Sequence, residues 1–295
     1  MTKSVLISPR ELEGLLKTDD IVLIDTRDPK DYADGHIERA VNIREVFTFL
    51  ATSTKEGLEE LRATFCEAFG KAGLSGSETV VIYEESMDTG FGQSFRGYFL
   101  LRFLGYSKAK VLHGGYRAWV DDGMEVTQDV PAPSAQDFAC KPDSSNVLID
   151  LEEMKAALTD PSIIKLDVRD IDEWIGESSS PYGKDYAPRK GRLTGAVWIE
   201  WYRMMKPTPE GLRFKSKNEI LAECATVGIT PDTPVIVYCF KGARAANTFV
   251  ALKEAGIKNV SVYFSSWNEW SRYPDLPIET GLPFGKTQIE PKQAA

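Results

Sequence analysis

Metal-ligating and cross-linking residues are scarce in this chain. Its 295 residues hold two histidines and four cysteines (Cys66, Cys140, Cys224 and Cys239), none in a Cys-x-x-Cys pair, so neither a zinc cluster nor a disulfide scaffold is indicated. Positive charge is not in excess either. Against 44 Asp and Glu stand 35 Lys and Arg, a formal net charge of −9, which argues against a sheath of phosphate contacts. No nucleic-acid partner is therefore expected, and an anionic substrate would have to be attracted locally. No apolar run is long enough to span a bilayer, and charge and Pro9 interrupt the opening Met1–Arg10 before an apolar core develops. Neither a membrane partner nor a signal peptide is expected. Widely spaced cysteines fit a reducing cytoplasm, where free thiols are open to chemistry.

What the chain does contain is an internal repeat. Val22-Leu23-Ile24-Asp25-Thr26-Arg27-Asp28 is echoed by Ile163-Ile164-Lys165-Leu166-Asp167-Val168-Arg169-Asp170, with Asp-x-Arg recurring 142 positions on. The turn Gly35-His36-Ile37-Glu38-Arg39-Ala40-Val41 matches Gly191-Arg192-Leu193-Thr194-Gly195-Ala196-Val197 at an offset of 156, so the second copy carries a 14-residue insertion, Glu177 to Lys190. Thr79–Tyr83 then matches Pro234–Tyr238, and Tyr116-Arg117-Ala118-Trp119 matches Trp267-Asn268-Glu269-Trp270.

Within each copy short apolar runs alternate with helical patterns, which predicts an α/β fold made twice, each copy a mainly parallel sheet sandwiched by helices. Strands are expected at 21–25, 79–83 and 109–112, and again at 163–167, 234–238 and 259–263. Helices are expected over 9–17, 58–72 and 91–104, then 151–158, 218–227 and 243–255. The stretch 128–145, rich in Pro, Ser and Asp, reads as a surface linker between a first domain at 1–127 and a second at 146–295.

The candidate chemistry sits in the second copy. The apolar run Val235–Tyr238 leads straight into Cys239-Phe240-Lys241-Gly242-Ala243-Arg244 and then into a helical pattern. A strand, a tight loop and a helix N-terminus thus meet at one thiol. Converging backbone N–H groups, the positive end of the helix dipole, and the charges of Lys241 and Arg244 all favour thiolate, the nucleophilic form. The bland alternative is a buried cysteine at a strand end, which would leave the flanking Lys, Gly and Arg unexplained. Cys66 and Cys224 lie in helical patterns and read as structural, and Cys140 lies in the linker. In the first copy Glu84 stands where Cys239 does, followed by Glu85-Ser86-Met87-Asp88. Only one half is then catalytic; the other is a scaffold expected to complete a cleft.

Taken together, these residues resemble the tandem-domain rhodaneses, which include thiosulfate and 3-mercaptopyruvate sulfurtransferases. The likeness covers the whole chain and rests on both Asp-x-Arg motifs, the Gly35–Val41 turn and its partner, His113-Gly114-Gly115-Tyr116-Arg117-Ala118-Trp119, and the six-residue loop Cys239–Arg244. It implies that Cys239 takes the outer sulfur of a donor as a persulfide and passes it to cyanide, a small thiol or a thioredoxin-like protein thiol, with no cofactor or metal. It also implies that Phe240, Lys241, Gly242, Ala243 and Arg244 form the substrate-binding loop. Lys241, two residues after the cysteine, resembles thiosulfate-type members rather than the mercaptopyruvate type, and Arg244 at the loop's last position resembles bacterial and single-domain rhodaneses. Glu173, four residues after Arg169, departs from members that place a substrate-binding Arg there, which counts against a mercaptopyruvate carboxylate clamp. Two readings stand for Arg189 and Arg192, at the end of the insertion: a replacement for that charge at the substrate site, or part of a solvated loop.

Asp167 and Arg169 read as a strand-end ion pair, His36 and His113 as turn-stabilising partners, and Trp119, Trp267 and Trp270 as core or cleft wall. Cysteine phosphatases and arsenate reductases also wrap a Cys-to-Arg loop around a thiolate, but commonly with five intervening residues. Phe240 to Ala243 makes four, a smaller cradle better suited to sulfur than to phosphoryl. A protein-to-protein sulfur relay through Cys239 remains as a rival of another class.

Overall fold

Residues 4–17, 20–141 and 147–283 are described by the computed structural model. The chain divides into two compact units, unit 1 made of Met1–Phe49, Leu58–Val147 and Met205–Phe214, unit 2 of Leu50–Gly57, Leu148–Met204 and Lys215–Ala295. Each unit therefore includes a short piece of the opposite half of the sequence, which contiguous domains at 1–127 and 146–295 do not describe.

In chain order the first half forms β1 (Leu6–Ile7), α1 (Pro9–Leu16), β2 (Ile21–Asp25), α2 (Pro29–Asp34), β3 (Ala40–Asn42), α3 (Glu45–Thr48), α4 (Lys55–Lys71), β4 (Thr79–Tyr83), α5 (Gln93–Phe103), β5 (Ala109–Leu112) and α6 (Gly115–Asp121). The second half forms β6 (Leu148–Ile149), α7 (Leu151–Ala157), β7 (Ile164–Asp167), α8 (Ile171–Ile175), β8 (Arg192–Leu193), β9 (Val197–Trp198), a 3-10 turn at Trp201–Met204, then β10 (Met205–Thr208), β11 (Gly211–Phe214), α9 (Lys217–Ala225), β12 (Val235–Tyr238), α10 (Ala243–Glu254), β13 (Val260–Tyr263), α11 (Ser266–Trp270) and β14 (Ile278–Glu279).

Unit 1 holds a parallel sheet of order β1-β5-β4-β2-β3, and unit 2 a parallel sheet of order β6-β13-β12-β7-β9. The two are the same arrangement built twice, the α/β duplication expected from the sequence. Central strands β2, β4 and β12 are almost wholly buried, as their unbroken Ile and Val runs require when helices cover both faces. Helix starts are written the same way in both halves. Ser8 with Glu11 caps α1 and Asp150 with Glu153 caps α7, each a reciprocal capping box. Register agrees as well: Asp25 lies opposite Tyr83 and Asp167 opposite Tyr238, so Glu84 and Cys239 leave their sheets at equivalent points.

The strands expected near 21, 79, 109, 163, 234 and 259 are all present within one residue of their expected limits. Less visible beforehand were the edge strands of two or three residues, the short helices α2, α3, α6, α8 and α11, and the antiparallel β10–β11 hairpin. Such pieces are too short to establish a period in the sequence. No helix of the described residues is long and apolar enough to cross a membrane.

Two expectations need correction. The linker is not a free tether over its described part: Phe138 is buried edge-on against Tyr106, and Gln136 N–H donates to the Gly70 carbonyl. Positions 142–145 of that stretch lie outside the described residues. Nor are all four cysteines free. Cys66 on α4 is bonded to Cys140, with Cα atoms 6.0 Å apart across a sequence separation of 74. Wide spacing in sequence hid a pairing that only the return of the linker along α4 creates, and the case for a reducing compartment loses its premise. Closing so long a loop restricts the unfolded chain, so Cys140→Ser should cost about 2–4 kcal/mol of stability in urea titration. Reductant should lower the wild-type midpoint and leave that of the variant unmoved.

Candidate active site

Cys239 follows the buried strand β12, and α10 begins four residues later. The turn between them closes because Gly242 adopts φ 89°, a left-handed conformation; a Cβ there would stand 2.8 Å from both the Phe264 carbonyl oxygen and its ring. Held this way, the Gly242 N–H donates to Cys239 Sγ at 3.1 Å. The N-terminus of the 12-residue helix α10 starts at that point, and its dipole adds to the stabilisation of negative charge on sulfur.

The adjacent strand β13 supplies the other wall. Cys239 N–H donates to Ser266 Oγ at 3.1 Å, and Ser266 Oγ donates to the Tyr263 carbonyl at 2.8 Å. Trp267 and Asn268 N–H groups donate to the Cys239 and Phe240 carbonyls at 3.1 and 2.9 Å. Ser266 carries φ 57°, unusual for a residue with a side chain, and its unit 1 equivalent is Gly115 at φ 69°. Sequence reading missed Ser266. The alignment of Gly114-Gly115 with Ser265-Ser266, one step before the matched Tyr116 and Trp267, was the signal available.

Cys239 is 1% exposed, but its surroundings are not an apolar interior. Arg244, itself buried, donates to both oxygens of buried Glu173 at 2.7 and 3.2 Å and lies 3.1 Å from Asp170. Burial opposes the charge of Arg244, yet the attractions of Glu173, Cys239 and Asp170 outweigh it and hold the guanidinium more firmly protonated than usual. Phe240 packs in the core of unit 2, and Ala243 opens α10. Lys241 is 8% exposed, with Nζ 4.6 Å from the centre of the Tyr182 ring.

The structure therefore brings Cys239, Phe240, Lys241, Gly242, Ala243 and Arg244 together in one turn. It uses Arg189 and Arg192 as anchors of the insertion. Arg189 donates to the Tyr273 and Leu276 carbonyls at 2.6 and 2.8 Å; Arg192 donates to those of Trp174 and Gly281 and lies 3.4 Å from Glu279. These bonds depart from both readings of the pair, as replacement charge and as solvated loop. Where members of the resembling family place a charge on substrate, this chain places Glu173 on Arg244.

The other motifs are framework. Arg169 N–H groups grip buried Asp167 and the Gly191 carbonyl, and Arg27 does the same with Asp25 and Gly35. Desolvation and Arg213 push the pKa of His113 down to about 4, and its Nε2 accepts the Phe214 N–H at 3.1 Å, so it is neutral and structural. Burial pushes the Cys224 thiol up to about 11, leaving it unreactive near neutrality. A depression of about 330 Å³ in unit 1, lined by Glu85, Asp88, Arg117 and Arg213 among others, contains no thiol.

Glu84 shows what the cradle becomes without sulfur. It is 1% exposed at the start of α5, and the Ser94 N–H donates to its Oε2 at 3.3 Å. Burial pushes its pKa from 4.5 to about 8, although the amides of Ser94, Gln93 and Gly92 pull the other way.

A parallel α/β sheet built twice, with a thiol-bearing turn in one copy only, defines the class. The chain belongs to the rhodanese-like domain family, which matches residues 8–122 and 150–273. Among its relatives are the thiosulfate sulfurtransferases of Azotobacter vinelandii (28% identical over 277 residues, 93% of this chain and 97% of the relative) and Pseudomonas aeruginosa (29% over 277 residues, with the same coverage). Another is the sulfur carrier protein TtuD of Thermus thermophilus (28% over 276 residues, 89% of each chain). In structure it is similar to an anaerobic ergothioneine biosynthesis enzyme from Chlorobium limicola bound to trimethyl histidine, with TM-score 0.79 and 26% identity over 94% of this chain and 70% of that one. The chain is thus a member of a sulfurtransferase enzyme family.

Glu84 carries a testable consequence. Its folded pKa of about 8 lies above the ordinary 4.5, so between those values the folded protein keeps a proton that the unfolded chain has lost. Stability should fall as pH rises through that window, by a few kcal/mol at most, and level off above it. Glu84→Gln should flatten this part of the stability–pH curve in urea titrations.

Proposed function

We propose that this protein moves the outer sulfur of thiosulfate to cyanide or a thiol through a persulfide on Cys239. The reading is carried by the amide of Gly242 directed at Cys239 Sγ at the start of α10, in a turn that also holds Lys241 and Arg244. The same amide and dipole would stabilise the terminal sulfur anion of a persulfide. In the first step the Cys239 thiolate attacks the outer sulfur, the S–S bond of thiosulfate breaks, and sulfite leaves with the electron pair. In the second, cyanide or a thiolate attacks the outer sulfur of the persulfide and the Cys239 thiolate is released. Similarity to named thiosulfate sulfurtransferases over nearly the whole chain supports this donor. The pairing of Glu173 with Arg244 counts against a mercaptopyruvate carboxylate clamp.

A relay reading has one observation in its favour, the similarity to a sulfur carrier protein. Turnover of thiosulfate and cyanide with no other protein present separates the two, since a relay requires its partner. The decisive test is intact-protein mass after incubation with thiosulfate. One added sulfur is expected, lost on cyanide treatment and absent in Cys239→Ser; sulfur uptake by that variant would remove the reading.

Lys241→Ala should weaken use of thiosulfate, a dianion, more than use of a monoanionic donor. A close charge pair in a partly desolvated site is worth on the order of 1–3 kcal/mol. Equal losses of kcat/KM for both donors would show that Lys241 does not read charge.

A further inference from the structure

The 14-residue insertion present only in the second copy is not accounted for by the sulfur-transfer step itself. Unit 1 passes from Asp34 straight to Gly35 at this point, whereas unit 2 runs from Glu177 to Lys190 before Gly191. The segment is tied down at several places. Besides the Arg189 anchors, Arg272 donates to the Tyr186 carbonyl at 3.0 Å, Ala187 is fully buried, and Trp267 Nε1 donates to the Arg189 carbonyl at 3.0 Å. At its tip, Ser180 Oγ accepts the Tyr182 N–H at 3.2 Å.

This fixed loop presents Tyr182 to the catalytic turn. Its ring lies 4.9 Å from that of Phe240, and Tyr186 packs edge-on against it at 6.1 Å. The Lys241 ammonium stands over the same ring at 4.6 Å. A lysine stem has several freely rotating bonds, and an ammonium is ordinarily left in water. Here the residue is nearly buried, and the ring offers its ammonium a negative face without cancelling its charge.

We infer that Tyr182 is a positioning residue: its ring holds the Lys241 ammonium in the catalytic turn, so the insertion sets the preference of the site for anionic reagents. The inference rests on Lys241 acting at that site, and its test reads charge at Cys239 with or without turnover. Iodoacetate and iodoacetamide alkylate the same sulfur and both release iodide, but only the first is an anion. The ratio of their rates at Cys239, followed by peptide mass, therefore reports positive charge near Sγ.

Tyr182→Leu and Tyr182→Met should each lower that ratio about three- to tenfold, an effect of the size expected for a cation–π contact, while Tyr182→Phe, which keeps the ring, should stay within about twofold of wild type. Lys241→Ala should lower the ratio too, and adding Tyr182→Leu to it should lower it no further. With thiosulfate, Tyr182→Leu should raise KM more than it lowers kcat. An unchanged ratio in the Leu and Met variants, or an equal drop in the Lys241→Ala background, would overturn the inference. If the ratios behave as expected while the wild type takes no sulfur from thiosulfate, the proposed donor fails and the positioning role stands.

Discussion

The site depends on one constraint: a strand, a left-handed glycine and a helix N-terminus must meet within four residues. The Gly242 amide reaches Cys239 Sγ in a turn where Gly242 takes a positive φ and a Cβ would meet the Phe264 carbonyl. Phe264 directly follows β13, which lies next to β12 in the sheet. Strand order therefore fixes which turn faces the thiol. The turn after β13 provides the N–H groups of Trp267 and Asn268 that hold the carbonyls of Cys239 and Phe240. Cooperation between neighbouring parallel strands, rather than any single motif, shapes the cradle, and ligand sites at the carboxyl ends of such strands follow from the same geometry.

Unit 1 acts as a comparison within one chain. Its strand register, Asp-x-Arg pair and buried tyrosine repeat those of unit 2: Ile37 N–H donates to Tyr83 Oη as Leu193 N–H does to Tyr238 Oη. The carbonyls of Glu84 and Glu85 accept the Tyr116 and Arg117 amides just as those of Cys239 and Phe240 accept Trp267 and Asn268. Because all this survives without a thiol, it belongs to the framework. What differs is local. Helix α5 is capped by Gly92, eight residues after Glu84, while α10 is capped by Gly242, three after Cys239. The longer loop lets a carboxyl group fill the space, and burial favours its neutral form.

Most of this fold was legible in the sequence. Long buried strands declare themselves as apolar runs, and duplication reveals the equivalent turns without coordinates. The loop Cys239–Arg244 was legible because its chemistry is contiguous: strand, thiol, cation, glycine and helix follow one another. Groups that act through space were not. Glu173 and Arg244 lie 71 residues apart, Cys66 and Cys140 lie 74 apart, and Ser266 meets Cys239 across two strands. Charge type alone marked Arg189 and Arg192, yet long arginine side chains bond main-chain carbonyls as readily as ligands. Composition could not tell an anchor from a binding group.

The loop that begins at Cys239 carries two cations, Arg244 and Lys241. Arg244 faces two carboxylates, Glu173 and Asp170, so its formal charge is matched before any substrate arrives. Leaving such a guanidinium unpaired in the interior would be costly, and the two carboxylates offset much of its charge. Lys241 rests over an aromatic face, which is attractive to an ammonium but carries no net charge. In a chain with a formal net charge of −9, an anionic donor meets little help from the protein as a whole. Attraction then has to be local, and a neutral ring can hold a cation without offsetting its charge. A carboxylate holds a cation too, but offsets its charge.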